Sequence, residues 1–347
     1  MIRSIDLVAR ARIAWRRLAI SMAAAAFVTT ACSGQAATQS AAAAATSGPS
    51  LAPTTGAAPS SSISPPPLPG GRLVYIALNE DGVGSLVATN PDGTDTTPLL
   101  PAGNPPRWSP DGRHISVVAD NADGLLFVGL VDPDGSHYVQ FDSPDPTLNL
   151  GCFAWSRDGS RLACDGFDGT DASRNGIYTV RSSDGGDLIR VTTSPDGSRD
   201  IPTDYSPDGR QIVFTRERIA DEADTTLMVV NVDGSGARAL SDTRLRPGRW
   251  SPDGKTILSD SGEEGEKLLL VPVDGGEIKA IEIISDSLRS AFFGSWSPDG
   301  EWIVFSGRAS TSVDLYIVRV DGTNLQQVTD TPMGQWEEAA DWTAAAR

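Results

Sequence analysis

Histidine and cysteine are scarce in this chain, which limits the chemistry available to it. The 347 residues include two histidines, His114 and His137, and three cysteines, Cys32, Cys152 and Cys164. Zinc and iron centres depend on clusters of these side chains. A Ser-His-Asp triad needs one histidine within hydrogen-bonding reach of both partners. We therefore expect no metal, no cofactor and no triad.

Two further features are missing, and basic residues are few. The sequence has no Gly-x-Ser-x-Gly motif, which presents the nucleophile of α/β-hydrolases. No apolar run reaches the ~20 residues that cross a bilayer as a helix. There are 28 basic residues against 45 acidic ones, for a net charge of −17. A surface of this sign repels nucleic acid and anionic lipid, so neither is an expected partner.

The N-terminal segment has the pattern of an export signal. Five arginines stand in residues 1–17, and an apolar run of 14 residues, 18–31, follows and ends at Cys32. A basic region, a short apolar region and small residues at its end are typical of a secretory signal. The residues from Thr29 to Cys32 resemble a bacterial lipobox, although an aliphatic residue is usual where Thr29 stands. A lipidated Cys32 is the leading interpretation of residues 1–32; an ordinary cleaved signal and an uncleaved anchor are the alternatives.

Residues 33–71 predict a tether. They are nearly all Ala, Ser, Thr, Pro and Gly and carry no charged side chain. Such a segment buries too little apolar surface to offset the entropy lost on ordering. We expect a disordered linker that holds residues 72–347 away from a membrane or wall.

A Trp-Ser-Pro-Asp-Gly motif recurs along residues 72–347. Its aromatic positions are 47, 50, 45, 46 and 46 residues apart, at Trp108, Trp155, Tyr205, Trp250, Trp296 and Trp342. A second Asp-Gly turn recurs between them, with its acid at Asp92, Asp134, Asp184, Asp233, Asp274 and Asp321. Repetition at this period indicates a repeat architecture, and Asp-Gly between apolar runs predicts a hairpin.

Each repeat predicts four antiparallel strands, which is the composition of a β-propeller blade. Residues 73–77 match the second strand of a repeat, and the last copy of the motif, at Trp342, supplies only a first strand. Together the two ends complete one blade, so that one C-terminal strand and three N-terminal strands leave no unpaired edge. The sequence therefore predicts an all-β fold, a six-bladed β-propeller of four-stranded blades, which we expect to be monomeric.

The extended motif, Trp-Ser-Pro-Asp-Gly-(Arg/Lys)-x-Ile-x-Phe, is similar to the WD40-like (PD40) repeat of the TolB-like six-bladed propellers. Six occurrences over residues 72–347 make this resemblance specific for the fold. The same repeat occurs in prolyl-oligopeptidase-type enzymes, which join it to a separate catalytic domain. The resemblance implies a bacterial cell-envelope protein. The α/β domain that precedes the propeller in TolB is replaced here by the tether, so TolB's role in the envelope is not carried over.

The histidines and acids leave one enzymatic alternative. His114 begins a second strand and His137 follows the second Asp-Gly turn, and we place them on the surface in different blades, where they make no metal site. We therefore expect no enzyme activity. An acid–base pair such as Asp200 and Glu337 leaves a lyase or hydrolase open.

Cys152 and Cys164 flank the turn at Asp158 at equal distances. A symmetric hairpin places them opposite each other, with Cβ atoms roughly 4.5–5.5 Å apart, close to disulfide reach. Export would bring them to a compartment that permits disulfides. We predict a structural disulfide; two buried free thiols are the alternative.

Function is expected at one mouth of the central channel. In a propeller the first strand of each blade lines the axis, and the loops that lead into these strands form one face, where a rigid scaffold carries functional residues. Arginines there suit a carboxylate or an acidic peptide. The predicted partner-binding residues are Asn104, Asn149, Arg199, Asp200, Arg246, Arg289, Trp336 and Glu337.

The sequence thus predicts an extracytoplasmic binding or scaffold propeller that is lipid-anchored to the cell membrane, in the periplasm or on the cell surface. Its partner would be an envelope protein or peptide held at the channel mouth. A polysaccharide lyase or hydrolase and a small-molecule sensor that use the same mouth are the alternatives. The fold does not separate them, because one scaffold serves many functions.

Overall fold

The computed structural model describes residues 68, 70–101, 105–120, 126–261, 266–309 and 311–344. The signal segment with Cys32, most of the tether and Asn104 lie outside the described residues. The described part consists of strands, turns and one 3₁₀ turn, Ala172–Arg174. None of its helices has the length and apolar content needed to cross a membrane.

The strands form six blades of four and are numbered β1–β24 in chain order. The innermost strands are β4 (Arg107–Trp108), β8 (Asn149–Trp155), β12 (Ser198–Tyr205), β16 (Arg249–Trp250), β20 (Ser290–Trp296) and β24 (Trp336–Thr343). The second strands are β1 (Arg72–Leu78), β5 (Ile115–Asp120), β9 (Arg161–Phe167), β13 (Gln211–Arg218), β17 (Thr256–Asp260) and β21 (Trp302–Arg308). The third strands are β2 (Gly84–Thr89), β6 (Leu126–Val131), β10 (Gly176–Arg181), β14 (Asp221–Asn231), β18 (Leu268–Pro272) and β22 (Val313–Arg319). The outer strands are β3 (Thr97–Pro101), β7 (Val139–Phe141), β11 (Ile189–Arg190), β15 (Arg238–Ala239), β19 (Lys279–Ala280) and β23 (Gln326–Gln327).

The two ends of the chain share blade 1. Strand β24 pairs with β1 in antiparallel register, with Leu73 opposite Trp342 and Ala77 opposite Glu337, and β2 and β3 follow. The innermost strands contact one another in the order β24, β4, β8, β12, β16, β20 and again β24. The predicted six-bladed all-β fold, with one C-terminal and three N-terminal strands in one blade, is confirmed.

The motif serine explains why each first turn is rigid. In blade 6, Ser297 donates its hydroxyl to Asp299 (2.6 Å) and accepts the backbone N–H of Trp302 (2.9 Å). Gly300 takes a φ of 72°, a conformation that only glycine adopts at little cost. The same serine–aspartate contact occurs in the five copies that contain the serine, at Ser109, Ser156, Ser206, Ser251 and Ser297; the sixth copy has Thr343 after Trp342.

Antiparallel pairing gives the blades two distinct ends. The motif turns and the second Asp-Gly turns lie at one end, which we call the turn end. The loops that connect consecutive blades, and those that join second to third strands, lie at the opposite, mouth end. Because β1 is a second strand, the chain enters blade 1 from the turn end, where the indole of Trp342 donates to the Gly70 carbonyl (3.4 Å).

Bulges re-aim side chains on the innermost strands. The pairing register shifts within β8, β12, β20 and β24, each time before the motif aromatic. In β20 and β24, Phe293 and Ala339 have φ values of 52° and 57°, in the left-handed region. A bulge leaves one residue unpaired and turns its neighbours to new directions, and bulges are common beside functional sites.

The bulge in β8 also decides the disulfide. Next to the turn, Trp155 lies opposite Leu162, a register that would set Cys152 against Asp165. The extra residue moves Cys152 opposite Cys164, and the structure joins these two cysteines in a disulfide. The sequence predicted a symmetric hairpin, and this prediction of symmetry is wrong. The bulge in β8 supplies the register that brings the two cysteines together.

Candidate functional site

A ring of charge surrounds the axis. The residue before the motif aromatic lies on the innermost strand, and in four blades it is charged. From blade 1 to blade 6 these residues are Asp341, Arg107, Ala154, Asp204, Arg249 and Ser295. An acid followed by an arginine therefore occurs twice, three blades apart. We call the four charged residues the axial ring.

Each acid of the axial ring is bound by the blade that follows it. Asp204 accepts the backbone N–H of Trp250 (2.9 Å), and Asp341 accepts that of Trp108 (2.8 Å). Asp341 also accepts the hydroxyl of Ser295 (3.0 Å) from the preceding blade. The acids therefore hold neighbouring innermost strands together.

The arginines of the axial ring are held by backbone carbonyls. Arg249 donates to the Thr203 carbonyl of the preceding blade (2.7 Å), and Arg107 donates to the Pro106 carbonyl (2.6 Å). Burial lowers the pKa of Arg107, while the charges of Asp341 and Asp204 act in the opposite direction. Since Asp204 stands two blades away from Arg107, its influence indicates that the ring side chains face one another across the axis.

The axial acids combine burial with access to water. Burial raises the pKa of Asp204 to about 7; the N–H of Trp250 and the charge of Arg107 oppose the shift, and Asp341 adds to it. Burial likewise raises the pKa of Asp341. Water nevertheless reaches Asp204, Asp341 and Arg107, which are half-buried rather than buried. Desolvated groups that water still touches are typical of a channel lining.

Two of the predicted mouth arginines are already paired within the chain. Arg199 donates through Nε to Asp165 of the preceding blade (2.6 Å). Arg246 lies 2.6 Å from Glu266 and 3.7 Å from Asp260. A partner carboxylate would have to displace these acids, so the structure does not favour the predicted role of these two arginines as receptors.

Asp200 and Asn149 serve the scaffold. Asp200 is fully buried and accepts both Nε (2.7 Å) and Nη2 (2.9 Å) of Arg216. A carboxylate in such a pair is neither reachable by substrate nor available to transfer a proton, which weakens its predicted role in an acid–base pair. Asn149 accepts the backbone N–H of Leu126 (2.7 Å).

Two of the predicted residues remain accessible where blades 6 and 1 meet, and a third, Glu337, is half-buried there. Arg289 is exposed, and its side chain makes no hydrogen bond or ion pair with the described residues. Trp336 is half-buried, donates to the Thr311 carbonyl (3.4 Å) and has the Arg308 guanidinium 5.9 Å from its ring. Burial raises the pKa of Glu337, and hydroxyls such as that of Thr329 oppose the shift.

Glu338 was not among the residues predicted from the sequence. It lies on innermost strand β24 beside the bulged Ala339 and is half-buried. Burial alone raises its pKa to about 7, and it forms no hydrogen bond or ion pair within the described ranges. The four residues of the axial ring were not predicted either. A charged residue inside an innermost strand was the available signal, since a blade interface there would favour an apolar one.

The positions of the histidines correct a prediction. His114 and His137 do not lie in different blades: both belong to blade 2, and their Nδ1 atoms contact Asp132 at 3.1 and 2.7 Å. With Arg157 they line a cleft of about 740 Å³ at the turn end. Within the described part of the chain, no three His, Cys, Asp or Glu side chains are arranged to hold a metal ion.

The chain resembles known proteins in sequence over its propeller. No family model matches it. It is 26% identical over 248 residues to an uncharacterized protein of Agrobacterium fabrum, Atu1656, covering 66% of this chain and 77% of that one. It is 29% identical over 168 residues to the Tol-Pal system protein TolB of Bordetella pertussis, covering 42% of this chain. The chain spans about a third of that TolB and 20% of dipeptidyl-peptidase 5 of Porphyromonas endodontalis, to which it is 35% identical over 142 residues.

Solved structures share the fold. TolB from Acinetobacter baumannii superposes with a TM-score of 0.62 at 21% identity, over 79% of this chain and 67% of that one. An oligogalacturonate lyase from Vibrio parahaemolyticus superposes with a TM-score of 0.51 at 16% identity, over 75% and 80%. The chain thus has the fold of the TolB-like propellers, as its motifs predicted.

Proposed function

We propose that this protein is an extracytoplasmic binding or scaffold propeller that engages an envelope protein or peptide at the mouth end of its channel. An export signal over residues 1–32, a lipid on Cys32 and a tether over 33–71 would anchor it to the membrane. The sequence pattern supports these features, and the TolB relatives support an envelope location.

The accessible corner between blades 6 and 1 carries the proposal. An exposed arginine, Arg289, and a half-buried indole, Trp336, adjoin a channel whose charged lining is reached by water. Aromatic and arginine side chains contribute most of the energy of protein interfaces. The half-buried indole of Trp336 is held by its hydrogen bond to the Thr311 carbonyl, which lowers the entropy lost on binding.

The route of the chain is compatible with docking at this corner. The described chain enters blade 1 from the turn end, at Gly70 and Arg72. The mouth end is opposite, so residues 70–72 do not occupy the proposed docking surface.

A sensor for a small polar molecule is the second candidate. The observation that favours it is the axial ring, which offers both charge signs to a solute in water. A lyase or hydrolase has less support. The likeness to an oligogalacturonate lyase extends to the fold, and the proposed acid–base pair loses Asp200 to a buried ion pair.

The test is capture of partners from membrane extract of the source organism with the full chain. The chain is compared with Arg289→Glu, with Trp336→Ala and with the matched control Arg210→Glu, which reverses an exposed arginine at the turn end. We expect a specific partner that both mouth variants lose at least tenfold and the control retains. Equal capture by all four proteins, or no specific partner, would contradict docking at the mouth.

A further inference from the structure

We propose that the mouth of the channel recognises a cationic group, a guanidinium or ammonium of the partner, and that Glu338 is its acceptor. This inference rests on the proposed docking function and reverses the sign of charge that the mouth arginines suggested from the sequence. It names the chemistry of the partner segment: one that carries Arg or Lys into the channel.

Charge balance is the first support. The axial ring holds two acids and two arginines, Asp204, Asp341, Arg107 and Arg249, so its formal charges cancel. Arg199 and Arg246 are balanced by carboxylates of this chain. Two charged groups are left over: Arg289, which is exposed before β20, and Glu338, which is half-buried on innermost strand β24. The Glu338 carboxyl has no hydrogen bond or ion pair in the described structure, and no titratable group from the strands packed around it shifts its pKa.

The backbone supplies independent support. Ala339 adopts a φ of 57°, and the register of β24 against β1 slips between the pairs Val74–Asp341 and Ile76–Glu338. A left-handed alanine costs of order 1 kcal/mol, and strain of this kind clusters at ligand sites. Side chains of a strand alternate between its two faces. The register slip reverses this alternation for Glu338, so the backbone of β24 determines the face on which its carboxyl lies.

A cationic ligand would neutralise the Glu338 carboxylate, which has no partner among the described residues. A desolvated carboxylate without a partner is unfavourable, and a charge-assisted hydrogen bond from a guanidinium or ammonium satisfies it. Trp336, two residues away, offers a ring whose face attracts cations and already has Arg308 at 5.9 Å. The net charge of −17 adds long-range attraction for such a partner.

The experiment is calorimetric titration of the full chain with agmatine, a small guanidinium and ammonium compound, and with glutarate as the anionic counterpart. Both are measured at pH 8 and pH 5.5. The variants are Glu338→Gln, which keeps the shape, and the matched control Glu277→Gln, an exposed acid at the turn end. Thermal unfolding of each variant checks the fold.

We expect agmatine to bind and glutarate not to bind. Affinity should fall about tenfold in Glu338→Gln at pH 8, the loss of one charge-assisted contact, and stay unchanged in Glu277→Gln. Lowering the pH to 5.5 protonates Glu338, so it should weaken binding to the native chain and leave Glu338→Gln unaffected. No agmatine binding, binding that ignores Glu338, or preference for glutarate would each overturn the inference.

Different results would overturn the docking function and the cationic chemistry. A partner that Trp336→Ala loses but Glu338→Gln retains would leave docking intact and overturn the cationic chemistry. Agmatine binding that depends on Glu338, together with no captured partner, would instead overturn docking and favour the sensor.

Discussion

The Asp204 carboxylate accepts the backbone N–H of Trp250 at 2.9 Å, 46 residues later in the chain and in the neighbouring blade. Asp341 binds Trp108 in the same way on the opposite side of the ring. Each contact joins two innermost strands that belong to different sheets. The acids of the axial ring are therefore also structural links between blades.

Removing the carboxylate should destabilise the propeller more than neutralising it. Asp204→Ala leaves the N–H of Trp250 without its acceptor, a loss of about 1–3 kcal/mol in the free energy of unfolding. Asp204→Asn retains an oxygen acceptor and removes a desolvated charge, so it should change little. Urea denaturation measures both, with Asp274→Ala, an exposed turn acid, as the control. Equal stability of Asp204→Ala and Asp274→Ala would refute the structural role.

Stability should decline as the pH rises from about 5 to 8. Burial raises the pKa values of Asp204, Glu266 and Glu338 to about 7 from ordinary values near 4. Their contribution is complete below the unfolded pKa and is lost as the pH rises through the folded pKa. Turn acids such as Asp158 and Asp321, whose pKa values are lowered by hydrogen bonds, contribute above pH 4 and lose that contribution in acid.

Denaturation at pH 4.5, 6 and 8 checks this dependence. The free energy of unfolding should be largest near pH 5, and the decline towards pH 8 should be shallower in the double variant Asp204→Asn, Glu338→Gln. A profile that rises steadily to pH 8 in the native chain would show that these carboxyls are not desolvated.

The disulfide should contribute measurably to stability. Cys152 and Cys164 are 12 residues apart, and closing a loop of about that size stabilises by ~3 kcal/mol in the chain-entropy account. Reductant should lower the urea midpoint of the native chain and leave the Cys152→Ser, Cys164→Ser variant unchanged. Identical midpoints with and without reductant would mean that the bond adds nothing.

The fold could be predicted from the sequence because each blade repeats its own local chemistry. The turn at Ser297 and Asp299 is fixed by contacts within a few residues, and counting such turns counts blades. The blade shared by the two ends could also be predicted, because the strand at Leu73 matches the second strand of a repeat and the strand at Trp342 supplies the missing first strand.

The site was harder to predict, because its contacts join blades. Nothing near Arg199 in the sequence indicates that Asp165, 34 residues earlier, neutralises it. The direction of Glu338 depends on the bulge at Ala339, and a bulge has no motif of its own. His114 and His137 meet because a third strand returns the chain to Asp132, a pairing that position within the repeat did not show.

The most direct test of docking at the mouth end is photo-crosslinking in cells of the source organism, with a benzophenone amino acid placed at either end of the blades. Met333 is 77% exposed at the mouth end and Val232 is 41% exposed at the turn end, so both tolerate substitution. We expect a discrete crosslinked partner from position 333 and none from position 232. Crosslinks from position 232 alone, or from neither, would contradict docking at the mouth of the channel.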